Sequence, residues 1–267
     1  MNDSDDPLMK VGETLPEAPV ADPSKLPPVQ PWGAGLTLVF SLCIFAGAIL
    51  VQVLVVVLFA IASQMRGVSL SPEAMATDGL VLALATCGSA PVAVLMSLLF
   101  VHIRRGCTIQ DYLGLSWPEP RLFRYSCLAI LVLILMSDGL TALLGRPIVP
   151  EFMTQIYNTA RFAPMLWMAL IVAAPLSEEF LFRGFLYQGL SQSPIGPPGA
   201  IVTASLLWAA IHTQYDLYGM LSIFVSGLLL GYARWKTGSL YPPIVMHALM
   251  NVIATVEVIG QSYFLRY

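Results

Sequence analysis

Apolar residues run along this chain in long unbroken blocks, not in the alternating or three-to-four spacing of elements with one wet face. Blocks at about Trp32 to Ser63, Leu80 to His102 and Phe123 to Leu144 are each long enough to cross a hydrocarbon core of roughly 30 Å as a helix. Further apolar segments lie near Pro164 to Leu190, Gly199 to His212, Leu217 to Trp235 and Tyr241 to Ile259. The second of these, about fourteen residues, is short for a lipid-facing span and fits an interior or re-entrant helix. The pattern predicts an all-α fold, a polytopic transmembrane helical bundle with about seven to eight membrane helices. The long first block is counted once, giving seven segments with room for an eighth element.

Composition agrees with the pattern. With 57% hydrophobic and 11% charged residues, the chain falls far below the quarter of charged residues typical of soluble domains, which excludes a water-soluble fold. The formal net charge of −3 is local in origin: Asp3, Asp5, Asp6, Glu13, Glu17 and Asp22 face only Lys10 and Lys25 near the start. That stretch is proline-rich and without apolar period, so residues 1–31 are expected to be a disordered acidic cytoplasmic tail, leaving 32–267 as the transmembrane domain. No cleavable signal peptide is visible, and the first span serves as its own signal. An acidic chain of this kind is not expected to bind nucleic acid; its expected partners are membrane lipids and a membrane-associated peptide or protein substrate. No internal repeat or second domain is evident. Cys43, Cys87, Cys107 and Cys127 are widely separated and read as inert core residues.

Basic residues set the expected orientation. The connection from His102 to Arg124 carries Arg104, Arg105, Arg121 and Arg124, and Arg234 and Lys236 close a later segment. The intervening connections hold only Arg66, Arg146 and Arg161. By the positive-inside rule the first group is cytoplasmic, and so is the N-terminus. This bias, in a short chain without an organelle signal, points to a prokaryotic plasma membrane.

Against this background a few polar residues stand out, because an ionised group at mid-membrane costs at least about 2.5 kcal/mol unless it is paired or used. Glu178, Glu179 and Arg183 interrupt one apolar block, and His212, His247 and Asn251 follow in others. Glu179 and Arg183 are four apart and share a helix face, so they can neutralise one another. Glu178 lies about 100° away round the helix and is left free to take a proton from water. Trp208 and His212 are also four apart, as are His247 and Asn251, so three helices can converge on one polar pocket. His102, beside Arg104 and Arg105, reads as a solvated interfacial residue. Asp216 fits a helix N-cap better than Tyr215 and Asp216 together fit a pocket mouth. Glu257, about 240° round the helix from Asn251, is expected to face away from the pocket. Asp138, before Gly139, is expected to break or cap a helix, and neither acid has an evident partner.

In order, E-E-x-x-x-R-G at Glu178 to Gly184, W-x-x-x-H at Trp208 to His212 and H-x-x-x-N at His247 to Asn251 resemble the three motifs of the CAAX protease and bacteriocin-processing (CPBP, Abi) family of intramembrane peptidases. The resemblance covers about residues 164–260 and leaves the first three spans without a likeness. It implies that Glu178 and His212 activate water, that His247 and Asn251 hold the oxyanion, and that Glu179 and Arg183 support the site. The second-motif aromatic, usually phenylalanine in that family, is here Trp208, a change expected to alter pocket volume more than chemistry. Two mechanisms stay open. One is metal-free, with Glu178 and His212 as proton acceptors. The other uses zinc held by Glu178, His212 and His247. The absence of H-E-x-x-H spacing favours the first. The expected function is hydrolysis of membrane-associated peptides, CAAX-like at a C-terminus or bacteriocin-like. The alternatives are a proton-coupled transporter and a non-catalytic scaffold or immunity protein.

Overall fold

The computed structural model describes residues 30–264, with side chains through residue 262; all but the last two residues of the expected tail at 1–31 lie outside the described residues. The chain folds into α1 (Ala34–Met65), α2 (Gly79–His102), α3 (Pro120–Leu143), α4 (Glu151–Thr159), α5 (Ala163–Ser191), α6 (Gly196–Ala210), α7 (Leu217–Thr237) and α8 (Tyr241–Phe264). Single helical turns occupy Pro72–Ala76 and Ile109–Leu113. All of these except α4, α6 and the single turns, six helices in total, are long and apolar enough to cross a membrane. Their outer faces expose large aliphatic side chains, as in Leu42, Leu50, Leu95 and Leu135. The protein is an integral membrane protein built as a helical bundle.

The short apolar segment is α6. Its 15 residues rise only about 22 Å, and residues 211–216 complete the passage as a loop. Six long helices plus α6 and its loop make seven passages of the chain, and the long first block is a single helix of 32 residues. The helix α4 was not anticipated: the connection 145–162 reads as polar, yet Phe152 and Ile156 give α4 one apolar side, which packs on α2. Asp138 neither breaks nor caps a helix, since α3 runs through it unbroken. All four cysteines are free, and Cys43 is exposed on the outer face of α1, not held in the core.

Hydrogen bonds sort the connections into two ends. At one, Trp32 Nε1 donates to the Phe100 carbonyl (2.8 Å), Arg104 Nε donates to the Gln30 carbonyl (3.0 Å), and Leu240 N donates to the Gly114 carbonyl (2.9 Å). Gly114 has φ 69°, and a Cβ there would lie 2.4 Å from the Gly238 carbonyl oxygen, so only glycine permits this approach. At the other end, Gly79 N donates to Thr159 Oγ1 (2.8 Å), Arg161 approaches the Asp78 carboxylate (3.7 Å) and Arg146 pairs with Asp216.

Helices α6 and α7 meet along Gly227 and Gly231, a small-xxx-small pair that lets two backbones approach closely in a membrane. A Cβ on Gly227 would lie 3.0 Å from Ser205 Cβ, and one on Gly231 would lie 2.9 Å from Ile201 Cγ2. This contact carries α6, and with it Trp208, onto the core. Gly231→Leu should therefore prise the two helices apart and destabilise the protein by about 1–3 kcal/mol, the usual cost of overpacking. Thermal melting in detergent checks this, and an unchanged midpoint would contradict the packing described.

Candidate active site

The helix that carries the two adjacent glutamates is irregular. α5 widens into π-helical turns at Met168–Ala173 and Phe180–Leu186, on either side of the α-helical stretch Ala174–Glu179. Such turns interrupt helices most often at functional sites. In the first π turn the amide of Ala174 donates to the Ala169 carbonyl, five residues back. The next donor in that register would be residue 175, which is proline and has no N–H. The Leu170 carbonyl is thereby freed, and Asn251 Nδ2 on α8 donates to it at 2.6 Å.

Four helices supply the polar cluster. Glu179 is fully buried, and its Oε1 accepts from Arg183 Nη1 and from His247 Nδ1, both at 2.9 Å. The Arg183 guanidinium lies 4.4 Å from the centre of the Trp208 ring, and its Nη2 donates to the Gly227 carbonyl of α7 (3.4 Å). The Trp208 indole stands edge-on to both His212 (5.3 Å between ring centres) and His247 (5.1 Å). Its Nε1 donates to Glu178 Oε2 at 2.5 Å. His212 Nδ1 lies 2.6 Å from the Trp208 carbonyl oxygen, which can only accept, so Nδ1 carries the hydrogen. The same reasoning applies to His247 Nδ1 against the ionised Glu179. Each imidazole thus keeps its Nε2 free, the orientation that a carboxylate or carbonyl behind a histidine imposes.

These groups line a cavity of about 510 Å³ that receives Ser177, Glu178, His212, Tyr215, His247 and Asn251, together with apolar side chains of α1, α2 and α4. That size suits a ligand site. The residues expected to form the site are brought together: Glu178, His212, His247 and Asn251 on the wall, with Glu179, Arg183 and Trp208 behind it.

Several expectations change. Trp208 brings more than volume to the site, because its N–H donates to Glu178 and a phenylalanine has no such donor. Glu179 holds His247 as well as Arg183. Asn251 already spends one of its two N–H bonds on Leu170. Asp216 caps α7 through Gly219 N (2.9 Å), as expected, while Tyr215 does line the cavity and lies against His212 at 6.3 Å between ring centres. The Tyr215 hydroxyl is a hydrogen-bond donor on that wall. Glu257 does not face away: it reaches the cavity wall beside Ala254. Among the described residues no three His, Cys, Asp or Glu side chains, Glu178, His212 and His247 included, are grouped to hold a metal ion. Sequence spacing gave no sign of the Leu170 carbonyl or of Phe152, which packs edge-on to Tyr215 from α4 at 6.0 Å.

The fold and site define a polytopic membrane bundle with a glutamate and histidine cavity. Residues 160–253, the part that carries this site, match the family model for type II CAAX prenyl endopeptidase Rce1-like proteins, so the resemblance to the CAAX protease family is borne out over that stretch. An uncharacterised 24.3 kDa protein of Escherichia coli is 32% identical over 101 residues, covering 36% of this chain and 46% of its own length. The uncharacterised protein YpbD of Bacillus subtilis (strain 168) is 30% identical over 106 residues, covering 39% of this chain and 50% of its own length. The chain thus spans about half the length of the curated relatives it matches. No solved structure matches the chain.

The Asn251 contact makes a separable prediction. Asn251→Ala should leave the Leu170 carbonyl unsatisfied and lower stability by about 1–3 kcal/mol. Adding Pro175→Ala restores an N–H that can reach that carbonyl, so the double variant should melt higher than the sum of the two single effects predicts. Strict additivity in a double-mutant cycle would show that the two groups do not compete for Leu170.

Proposed function

We propose that this protein is an intramembrane endopeptidase that hydrolyses peptide bonds of membrane-associated peptides, CAAX-like or bacteriocin-like, without a metal. The observation that carries the proposal is the pair of pinned imidazoles: with both Nδ1 atoms engaged behind the wall, the Nε2 atoms of His212 and His247 and the carboxylate of Glu178 are left to a single cavity.

Glu178 has one oxygen held by Trp208 and the other free to take a proton from water as that water attacks the peptide carbonyl carbon. His212 Nε2 offers a second acceptor for the same water. Negative charge builds on the carbonyl oxygen, and preorganised donors aimed there lower the barrier most. The second Nδ2–H of Asn251, the Tyr215 hydroxyl and, in its imidazolium form, His247 Nε2–H are the donors available. The proton held by Glu178 then passes to the leaving amine as the C–N bond breaks. Trp208 and Glu179 act as positioning residues, fixing Glu178 and His247.

The peptidase reading is tested with purified protein in detergent and a quenched peptide library. Glu178→Gln keeps the shape and the acceptor for Trp208 but cannot take a proton, so kcat should fall by about 10²–10⁴-fold. Full activity in that variant would refute the role given to Glu178. Cleavage should survive a zinc chelator, and cleavage lost to chelator and restored by zinc would overturn the metal-free route. Trp208→Phe removes a hydrogen bond to a charged group worth roughly 1.5–3 kcal/mol and should lower kcat about ten- to a hundredfold with KM little changed.

A further inference from the structure

We infer that the catalytic cavity is loaded from the non-cytoplasmic side of the membrane, so that its substrates are apolar peptide segments presented outside the cytoplasm. The word substrate rests on the peptidase reading above; the sidedness rests on separate observations.

The first is where the cavity reaches. Its lining includes Ala76, Ile148, Phe152, Gln214 and Tyr215, all at the end marked by the Thr159, Asp78 and Arg146 contacts. Ala76, Ile148 and Gln214 are exposed there. Among the described residues, nothing from the connections 103–119, 192–195 or 238–240 at the Gly114 end lines it. Toward that end the bundle is shut by side chains with almost no exposure, Arg183, Tyr112, Leu113, Phe185 and Leu240. The lining thus reaches the connections of one end and none of those at the other.

The second is charge. The closed end carries Arg104, Arg105, Arg121, Arg124, Arg234 and Lys236 against Asp111 and Glu119. The open end carries Arg66, Arg146 and Arg161 among Glu73, Asp78, Glu151 and Asp216, and two of its three arginines are paired with carboxylates there. The excess of basic residues in short connections marks the cytoplasmic side, which makes the closed end cytoplasmic and the mouth non-cytoplasmic.

The third is the mouth itself. Ile148, Val149, Phe152 and Met153 make the rim beside α4 apolar, and α4 is seated on α2 through Phe152 and Ile156. Such a rim suits a hydrophobic segment emerging from the bilayer better than a charged free peptide. Of the two substrate types proposed above, this orientation selects the bacteriocin-like one, because a CAAX-like chain end made in the cytoplasm would meet Glu178 only after crossing the membrane.

The test reads sidedness without reading activity. In full-length protein with Cys43, Cys87, Cys107 and Cys127 replaced by alanine, single cysteines are placed by Gln214→Cys at the mouth and Arg105→Cys at the closed end. Intact spheroplasts and permeabilised spheroplasts are treated with a membrane-impermeant maleimide. We expect at least fivefold more labelling of the Gln214→Cys protein than of the Arg105→Cys protein in intact spheroplasts, and strong labelling of Arg105→Cys only after permeabilisation. The reverse pattern, equal labelling of both in intact spheroplasts, or no labelling of Gln214→Cys in either preparation would overturn the inference. Glu73→Cys, an exposed position on the same end, repeats the measurement if the Gln214→Cys protein does not accumulate. Loss of peptide cleavage in Glu178→Gln stands or falls separately, so a wrong orientation and a wrong activity give different results.

Discussion

A carboxylate enclosed by protein inside a membrane has no water to solvate it, and Glu179 is enclosed completely. Its ionised form is tolerable only because Arg183 and His247 both donate to Oε1, and because Arg183 in turn lies over Trp208 and reaches the Gly227 carbonyl. One charge therefore ties α5 to α6, α7 and α8. The arrangement is not cheap, since Glu179 Oε2 and Arg183 Nε remain buried without partners. An apolar trio of similar volume would commonly be as stable or more so. What an apolar trio could not do is hold His247 in one orientation and give Trp208 a fixed place from which to bind Glu178.

The division between the two adjacent glutamates follows from helix geometry. Successive residues point about 100° apart, so one acid can be sealed in the core while its neighbour opens to the cavity. Glu179 takes the structural position and Glu178 the wet one, where a carboxylate can exchange protons. The π turns that flank them depend on the same economy of hydrogen bonds. Pro175 removes an amide that the widened turn would need, and Asn251 replaces it from another helix. A defect in α5 thereby becomes a fixed point for α8, four residues from His247 on the same face.

Much of this was legible in the sequence because membrane burial makes polar residues conspicuous. The spans show as apolar blocks, and the pairs Glu179 with Arg183, Trp208 with His212 and His247 with Asn251 show as four-residue spacings. Contacts between helices did not show. Spacing says that Trp208 and His212 share a face, but not that the indole N–H meets Glu178, thirty positions earlier. Glu257 was misplaced because its angle was measured from Asn251 alone, whereas the cavity widens toward the end where Ala254, Glu257 and Val258 also reach it. The helix α4 was missed because a nine-residue amphipathic element inside a polar connection carries too few apolar positions to establish a period.

The same groups could serve a proton-coupled transporter, and the shape of the bundle weighs against that use. A transport path needs polar side chains from one membrane face to the other and a site reachable from each in turn. Here the polar groups gather around one cavity, and beyond Arg183 toward the Gly114 end the packing is Tyr112, Leu113, Phe185, Leu186 and Leu240, all nearly inaccessible. Opening that route would separate the carbonyl of Gly114 from Leu240 and strip Arg183 of its place between Glu179 and Trp208. Leaving Glu179 buried without that partner would cost about 3–5 kcal/mol, too much for a state visited in every cycle without a compensating ion pair. A cavity that holds a carboxylate and two oriented imidazoles beside an apolar rim is better suited to chemistry on a bound peptide than to passage through the membrane.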